Sequence, residues 1–189
     1  MLAEIAPEPD PTGEAITAEQ QDLQSKFAAA MRDLSKLKFK SKSGGSRYLY
    51  ELPWYIFIGP PGAGKTEALK NCGLEFPLRK GDGPISIDGG AGTRDCDWVF
   101  TNEAVFIDTA GRYTTQSSDQ QVDSASWTNF LDLLKKNRPR EPINGVIVAI
   151  SVKDLAVASA DELDSYAKSI RERLQEVCER MDALSLIHI

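Results

Sequence analysis

Eight consecutive residues have the types and order of a phosphate-binding loop. The motif G-x-x-x-x-G-K-[ST] is matched by Gly59-Pro60-Pro61-Gly62-Ala63-Gly64-Lys65-Thr66. Its glycines let successive backbone N–H groups face one anion, and the helix that follows adds the positive end of its dipole. In such a loop Lys65 contacts the β- and γ-phosphates, and Thr66 offers its hydroxyl to Mg²⁺. We therefore expect all eight residues to bind a nucleotide, GTP or ATP, together with Mg²⁺.

A second candidate is the carboxylate of Asp108, which follows a short apolar run. Residues Ala104–Ile107 read as a strand, and the chain continues as Asp108-Thr109-Ala110-Gly111. A carboxylate at the end of a buried strand suits Mg²⁺, held directly or through water. Gly111 completes D-x-x-G, in which its N–H contacts the γ-phosphate of GTPase-like proteins. The alternative is a strand that ends in an Asx turn and holds no metal.

A glycine-rich stretch separates these two motifs. It consists of Gly89-Gly90-Ala91-Gly92-Thr93-Arg94 and occupies the place of a switch loop. There Thr93 would contact both Mg²⁺ and the γ-phosphate, and Arg94 would supply positive charge to the transition state. The alternative is a flexible hairpin that leads into a strand over Cys96–Phe100.

The residues after D-x-x-G do not match the pattern of Ras-like hydrolases. Ras-like enzymes place a water-orienting glutamine directly after D-x-x-G, whereas this chain has Arg112 there and its next glutamine is Gln116. The catalytic residue is therefore unassigned, with Arg94, Arg112 and Gln116 as candidates. Slow NTP hydrolysis is the candidate enzymatic activity.

Composition, hydrophobic periodicity and one recognisable terminal hexapeptide divide the chain into four regions. The first, 1–17, is acidic and proline-rich and is expected to be a disordered tail. An amphipathic helix and a linker occupy 18–46, and the P-loop domain occupies 47–183. The last six residues, Leu184–Ile189, match the translation of a common sequencing-library adapter, so we interpret 184–189 as a non-native tail.

Within 47–183 strands and helices alternate. Strands are predicted at Trp54–Ile58 and Gly145–Ser151, and a polar, mobile segment is predicted over Arg112–Ser126. A helix follows around Trp127, and Ser159-x-x-Glu162 marks the start of the last one. This order predicts an α/β P-loop NTPase (GTPase-like) fold, a parallel sheet sandwiched by helices and preceded by an N-terminal helix.

Composition narrows the function further. The net charge of −6 argues against nucleic-acid binding, and no apolar run is long enough to span a membrane. The three cysteines form no C-x-x-C pair, so we expect reduced thiols and no zinc site.

Several longer sequence words resemble one family. They are Tyr48-Leu49-Tyr50-Glu51-Leu52-Pro53-Trp54-Tyr55 before the P-loop, Gly92-Thr93-Arg94-Asp95-Cys96-Asp97-Trp98, and Ile107-Asp108-Thr109-Ala110-Gly111-Arg112-Tyr113. The chain resembles the cytoplasmic P-loop domain of the IcmF/TssM family, an inner-membrane component of bacterial type VI secretion. The resemblance implies a site at the cytoplasmic face of the inner membrane. It also implies other inner-membrane and baseplate components as partners.

The same resemblance implies that the chain is a C-terminally truncated fragment. The family has transmembrane helices before this region and a periplasmic part after it, so we expect membrane attachment only through segments absent from this chain. The base-reading motif normally follows the next strand, and Val152-Lys153-Asp154-Leu155 does not match it. GTP and ATP therefore both remain open. Two other interpretations also remain: a free-standing soluble P-loop NTPase, and a scaffold whose P-loop is idle.

Overall fold

The computed structural model describes residues 10–36, 49–76 and 96–181. Within these ranges the strands are β1 (Trp54–Ile58), β2 (Cys96–Phe100), β3 (Val105–Thr109) and β4 (Gly145–Val148). The helices are α1 (Pro11–Lys36), α2 (Lys65–Lys70), α3 (Gly111–Thr115), α4 (Gln120–Asn137), α5 (Val152–Val157) and α6 (Ala160–Met181).

The four strands form one mixed sheet in the order β2-β3-β1-β4. β1 is parallel to both β3 and β4, but β2 is antiparallel to β3, so the expectation of an all-parallel sheet is wrong at this strand. The reason is the tight connection between β2 and β3, in which the Thr101 N–H donates to the Ala104 carbonyl at 2.9 Å. A connection this short joins only antiparallel neighbours, because a parallel pair needs a long crossover.

β1 is buried on both of its faces. Trp54, Ile56 and Ile58 belong to a cluster shared with the helices α1, α4 and α6. Phe57 points to the other face and joins a cluster with Leu69 of α2. A continuous apolar run is typical of a strand covered on both sides, and it fixes the position of the loop that follows Ile58.

The N-terminal helix is longer than expected and belongs to the same core. α1 begins at Pro11, so the expected disorder of 1–17 is wrong for 11–17, while 1–9 lie outside the described residues. The carboxylate of Asp10 accepts a hydrogen bond from the Gly13 N–H at 3.0 Å, and proline suits the first helical position. Phe27 is buried edge-on against Trp98 of β2, with ring centroids 5.7 Å apart. The helix is therefore not a unit separate from 47–183.

The segment Arg112–Ser126, expected to be polar and mobile, is helical for most of its length. α3 covers its first part, and α4 begins at Gln120. The carboxylate of Asp119 accepts hydrogen bonds from the N–H groups of Gln121 and Val122, both at 3.2 Å. This N-cap starts the helix well before the apolar residues that indicated it in the sequence.

The chain beyond β4 is more exposed. β4 ends at Val148, and α5 has no buried residue. Val148, Ile150, Val152 and Val157 are each at least 38% exposed. In the described ranges, every helix is too short or too polar to cross a membrane.

The start of α6 confirms the predicted capping box and gives a first testable prediction. The Ser159 N–H donates to Glu162 Oε2 at 2.8 Å, and the Glu162 N–H donates back to Ser159 Oγ at 3.3 Å. We expect Ser159→Ala to lower the free energy of unfolding by about 1 kcal/mol, because it leaves a helix N–H without its acceptor. The matched control is Ser165→Ala, an exposed site inside the same helix. Urea denaturation that shows equal effects for both variants would contradict the prediction.

Candidate functional site

The predicted P-loop connects β1 to α2 and folds tightly. Gly62 and Gly64 have φ values of 77° and 82°, a region that disfavours side chains. The Ala63 N–H donates to the Pro60 carbonyl at 3.2 Å, which closes the turn. Gly64 is the N-cap of α2 and makes no side-chain cap hydrogen bond. Because the cap residue has no side chain, it contributes no capping oxygen to the positive end of α2.

The ammonium group of Lys65 lies inside the loop. Lys65 is 6% exposed, and its Nζ donates to the carbonyls of Gly59 at 2.8 Å and Pro60 at 3.2 Å. Burial lowers the pKa of Lys65, and the carboxylate of Asp108 only partly offsets this effect. The loop thus holds a buried cation beside a buried anion.

Thr66 and Asp108 meet at the carboxyl ends of neighbouring strands. β1 and β3 are parallel with Phe57 opposite Asp108, and α2 starts directly after the loop that leaves β1. The Thr66 hydroxyl donates to Asp108 Oδ2 at 2.5 Å, and Asp108 is fully buried. Hydroxyl and carboxylate oxygens are ligands that Mg²⁺ accepts. Among the residues that the structure describes, these two side chains are therefore candidate metal ligands.

Gly111 lies directly against the P-loop. A Cβ atom built on Gly111 would be 2.3 Å from Pro61 N and 2.8 Å from Pro60 C. The chain that leaves Asp108 thus passes over the loop with no room for a side chain. The structure therefore brings the glycine of D-x-x-G to the phosphate-binding motif.

Thr114 is a site residue that sequence reasoning missed. Its Oγ1 accepts a hydrogen bond from the Gly59 N–H at 3.0 Å, and its side chain is 1% exposed. It therefore fixes the first residue of the P-loop to α3. The sequence gives little sign of this role, because a threonine after D-x-x-G is not distinctive.

Arg112 lies between α1 and α4. Its guanidinium donates to Asp123 Oδ1 at 2.6 Å and pairs with Glu19 Oε2 at 3.1 Å. Burial lowers the pKa of Arg112, but the hydrogen bonds to Asp123 and Glu19 raise it more, so the net shift is upward. Among the described residues, two carboxylates therefore bind this catalytic candidate.

Two comparisons with known proteins bear on this arrangement. The family described as the IcmF-related N-terminal domain matches residues 120–188, a range that begins with α4 and leaves out the P-loop and Asp108. The chain is also 48% identical over 190 aligned residues to the type VI secretion system component TssM1 of Pseudomonas aeruginosa strain PAO1. Both matches are similarities to proteins of the IcmF/TssM family. No solved structure matches the chain.

The match to this IcmF/TssM relative is unequal in coverage. It includes all of the chain but only 17% of TssM1. The chain thus spans about a sixth of the curated relative that it matches.

Of the two remaining catalytic candidates, the structure describes Gln116 but not Arg94. Gln116 has a left-handed backbone with φ of 49°, and its Nε2 is buried without a hydrogen bond to the part of the chain that the structure describes. Thr93 and Arg94, the switch-loop candidates, lie outside the described residues. The site that can be built from described residues is therefore the P-loop with Asp108 and Gly111.

Proposed function

We propose that this chain binds a Mg²⁺-nucleotide, GTP or ATP, in a P-loop NTPase (GTPase-like) domain. The observation that carries the proposal is the contact between Thr66 and Asp108. These residues come from two separate motifs, and the parallel pairing of β1 with β3 brings their oxygens together at the mouth of the P-loop. A P-loop threonine and a strand-end aspartate are the pair that holds Mg²⁺ in P-loop NTPases.

The charges of the site support a polyphosphate ligand. The buried ammonium of Lys65 and the positive end of α2 both lie at the loop. Gly111 lies against Pro60 and Pro61, and the glycine of D-x-x-G contacts the γ-phosphate in GTPase-like proteins, so the start of α3 would respond to that phosphate. The domain would then act as a nucleotide-dependent switch or scaffold.

Slow hydrolysis is part of this proposal. Arg112 stands where Ras-like enzymes have a glutamine, and its guanidinium is bound to Asp123 and Glu19. A guanidinium has donors but no acceptor, so Arg112 does not hold the attacking water as a glutamine does.

The similarity to TssM1 supports a role in type VI secretion. We propose that the chain is part of an inner-membrane component of that machine, located at the cytoplasmic face. Membrane attachment would come from segments outside this chain. The partners would be other inner-membrane and baseplate components.

Calorimetric titration with GTP and with ATP, each with and without Mg²⁺, tests nucleotide binding. We expect saturable binding that requires Mg²⁺. We expect Thr66→Val to weaken it by about tenfold or more, since 1.4 kcal/mol corresponds to a factor of ten. Thr128→Val, on the partly exposed side of α4, is the matched control. No binding by the wild type would favour the scaffold with an idle P-loop. Equal binding by all variants would refute the metal assignment.

A further inference from the structure

Arg112 joins the candidate nucleotide site to the N-terminal helix. It directly follows Gly111, whose backbone contacts the P-loop at Pro60 and Pro61. Its guanidinium, 21% exposed, is turned to Glu19 of α1 and Asp123 of α4. The backbone of this cation is thus anchored at the phosphate-binding motif, while its charge is neutralised elsewhere.

The two carboxylates that bind Arg112 are not equivalent. Asp123 is 1% exposed, and its Oδ2 accepts hydrogen bonds from the Ser118 N–H and hydroxyl and from the Asp119 N–H. Asp123 would keep these donors if Arg112 left, because they belong to the segment that starts α4. It is therefore a fixed structural acceptor.

Glu19 is the partner that can be released. Its side chain is 28% exposed, and apart from Arg112 it accepts a hydrogen bond from the Ser126 hydroxyl. Water can replace Arg112 at a partly exposed carboxylate more easily than at a buried one, so the Glu19–Arg112 pair contributes less than the pair of Arg112 with the buried Asp123.

We propose that Glu19 competes with the phosphates of the bound nucleotide for Arg112, so that docking of α1 restrains nucleotide triphosphate binding. This inference rests on the proposed nucleotide site. A γ-phosphate beside Gly111 would place negative charge next to the residue that carries the guanidinium. The guanidinium of Arg112 can neutralise either the Glu19 carboxylate or the γ-phosphate well, but not both. Each of these anions therefore weakens the binding of the other to Arg112.

The coupling must act in both directions. If Glu19 weakens triphosphate binding, then the triphosphate weakens the contact of Glu19 with Arg112 by the same factor. A diphosphate lacks the charge nearest Gly111, so its coupling should be smaller. For a partly exposed ion pair we expect Glu19 to lower the triphosphate affinity by a factor of about three.

The test measures the affinity of non-hydrolysable GTP and ATP analogues and of the two diphosphates, all with Mg²⁺. We expect Glu19→Gln to bind the preferred triphosphate analogue about threefold more tightly than the wild type, with less effect on the diphosphate. The matched control is Asp22→Asn, which removes an exposed ion pair with Lys26 from the same helix and should change neither affinity. Ser126→Ala, which removes the other hydrogen bond to Glu19, should act in the same direction and guards against misfolding of the first variant.

A double-mutant cycle tests whether Arg112 is the group for which Glu19 and the phosphates compete. In an Arg112→Gln background, Glu19→Gln should no longer change triphosphate affinity. In the wild type, the triphosphate should also speed amide hydrogen exchange in α1 around Glu19.

The outcomes separate the two proposals. A wild type that binds no nucleotide refutes the proposed function and this inference together. In the other outcome the wild type binds nucleotide, but Glu19→Gln binds the triphosphate no more tightly than the wild type does. This result would refute only the competition between Glu19 and phosphate.

Discussion

Replacing Lys65 with methionine is expected to lower the affinity for Mg²⁺-nucleotide by about a hundredfold, because each charge-assisted hydrogen bond contributes about 1.5–3 kcal/mol. Methionine keeps an unbranched stem of similar size in a position that is 6% exposed. The substitution therefore removes the charge and the hydrogen bonds to Gly59 and Pro60 with little change in packing.

The fold should survive this substitution. Desolvation already lowers the pKa of Lys65, so the folded protein gives up a buried charge that is costly to hold. The lost hydrogen bonds and the relieved charge act in opposite directions on the free energy of unfolding. A loss of binding with intact cooperative unfolding would therefore report on the site itself.

Lys70→Met is the matched control for Lys65→Met. Lys70 lies on the same helix, its side chain is 31% exposed, and it forms a local ion pair with Glu67 at 2.8 Å. Titration of both variants with GTP and ATP in the presence of Mg²⁺ should show wild-type affinity for Lys70→Met. Equal affinity of Lys65→Met and the wild type would refute the P-loop assignment.

The parts of this site that are local in sequence were predictable. The strand β1 was predicted at the residues where the structure has it. The spacing of the glycines before Lys65 is specific to a phosphate-binding loop. Asp108 was predicted as a candidate because an apolar run ends in a carboxylate, and the structure places it in β3, one residue before the strand ends. In each case a short pattern encodes the geometry, because neighbouring residues determine it.

The antiparallel direction of β2 could also have been predicted from the sequence. Thr101-Asn102-Glu103 is a short polar connection between two apolar runs, which is typical of a hairpin. The general order of strands and helices led instead to a parallel sheet. The early start of α4 had a similar local sign in Asp119, a preferred N-cap residue.

The contacts of Arg112 were not predictable in this way. Glu19 and Asp123 reach it from two different helices, and no pattern near Arg112 specifies either partner. The same holds for α1, whose amphipathic spacing predicts an apolar face but not the strand or helix that covers it. Tertiary packing decides such contacts.

Replacing Gly111 with alanine is expected to be among the most damaging single-methyl changes in the described residues. The new Cβ would lie 2.3 Å from Pro61 N, 2.5 Å from Pro61 Cα and 2.8 Å from Pro60 C. These are backbone atoms of the P-loop, so no side-chain rotation relieves the clash. Either the loop or the chain after Asp108 must move, at a cost of about 1–3 kcal/mol in unfolding free energy.

Gly62→Ala provides the contrast that identifies the cause of this effect. At Gly62 an added Cβ meets no atom within 4 Å, but φ is 77°, so the cost is one of backbone conformation alone, about 1–2 kcal/mol. Gly111 is not among the described glycines with positive φ, so its alanine variant isolates the steric contact. We expect Gly111→Ala to weaken nucleotide binding by displacing Pro60 and Pro61, and thermal unfolding together with titration of both variants measures the two effects. If Gly111→Ala were neutral in stability and in binding, the D-x-x-G segment would not contact the P-loop as the structure shows, and the switch role proposed for it would lose its physical basis.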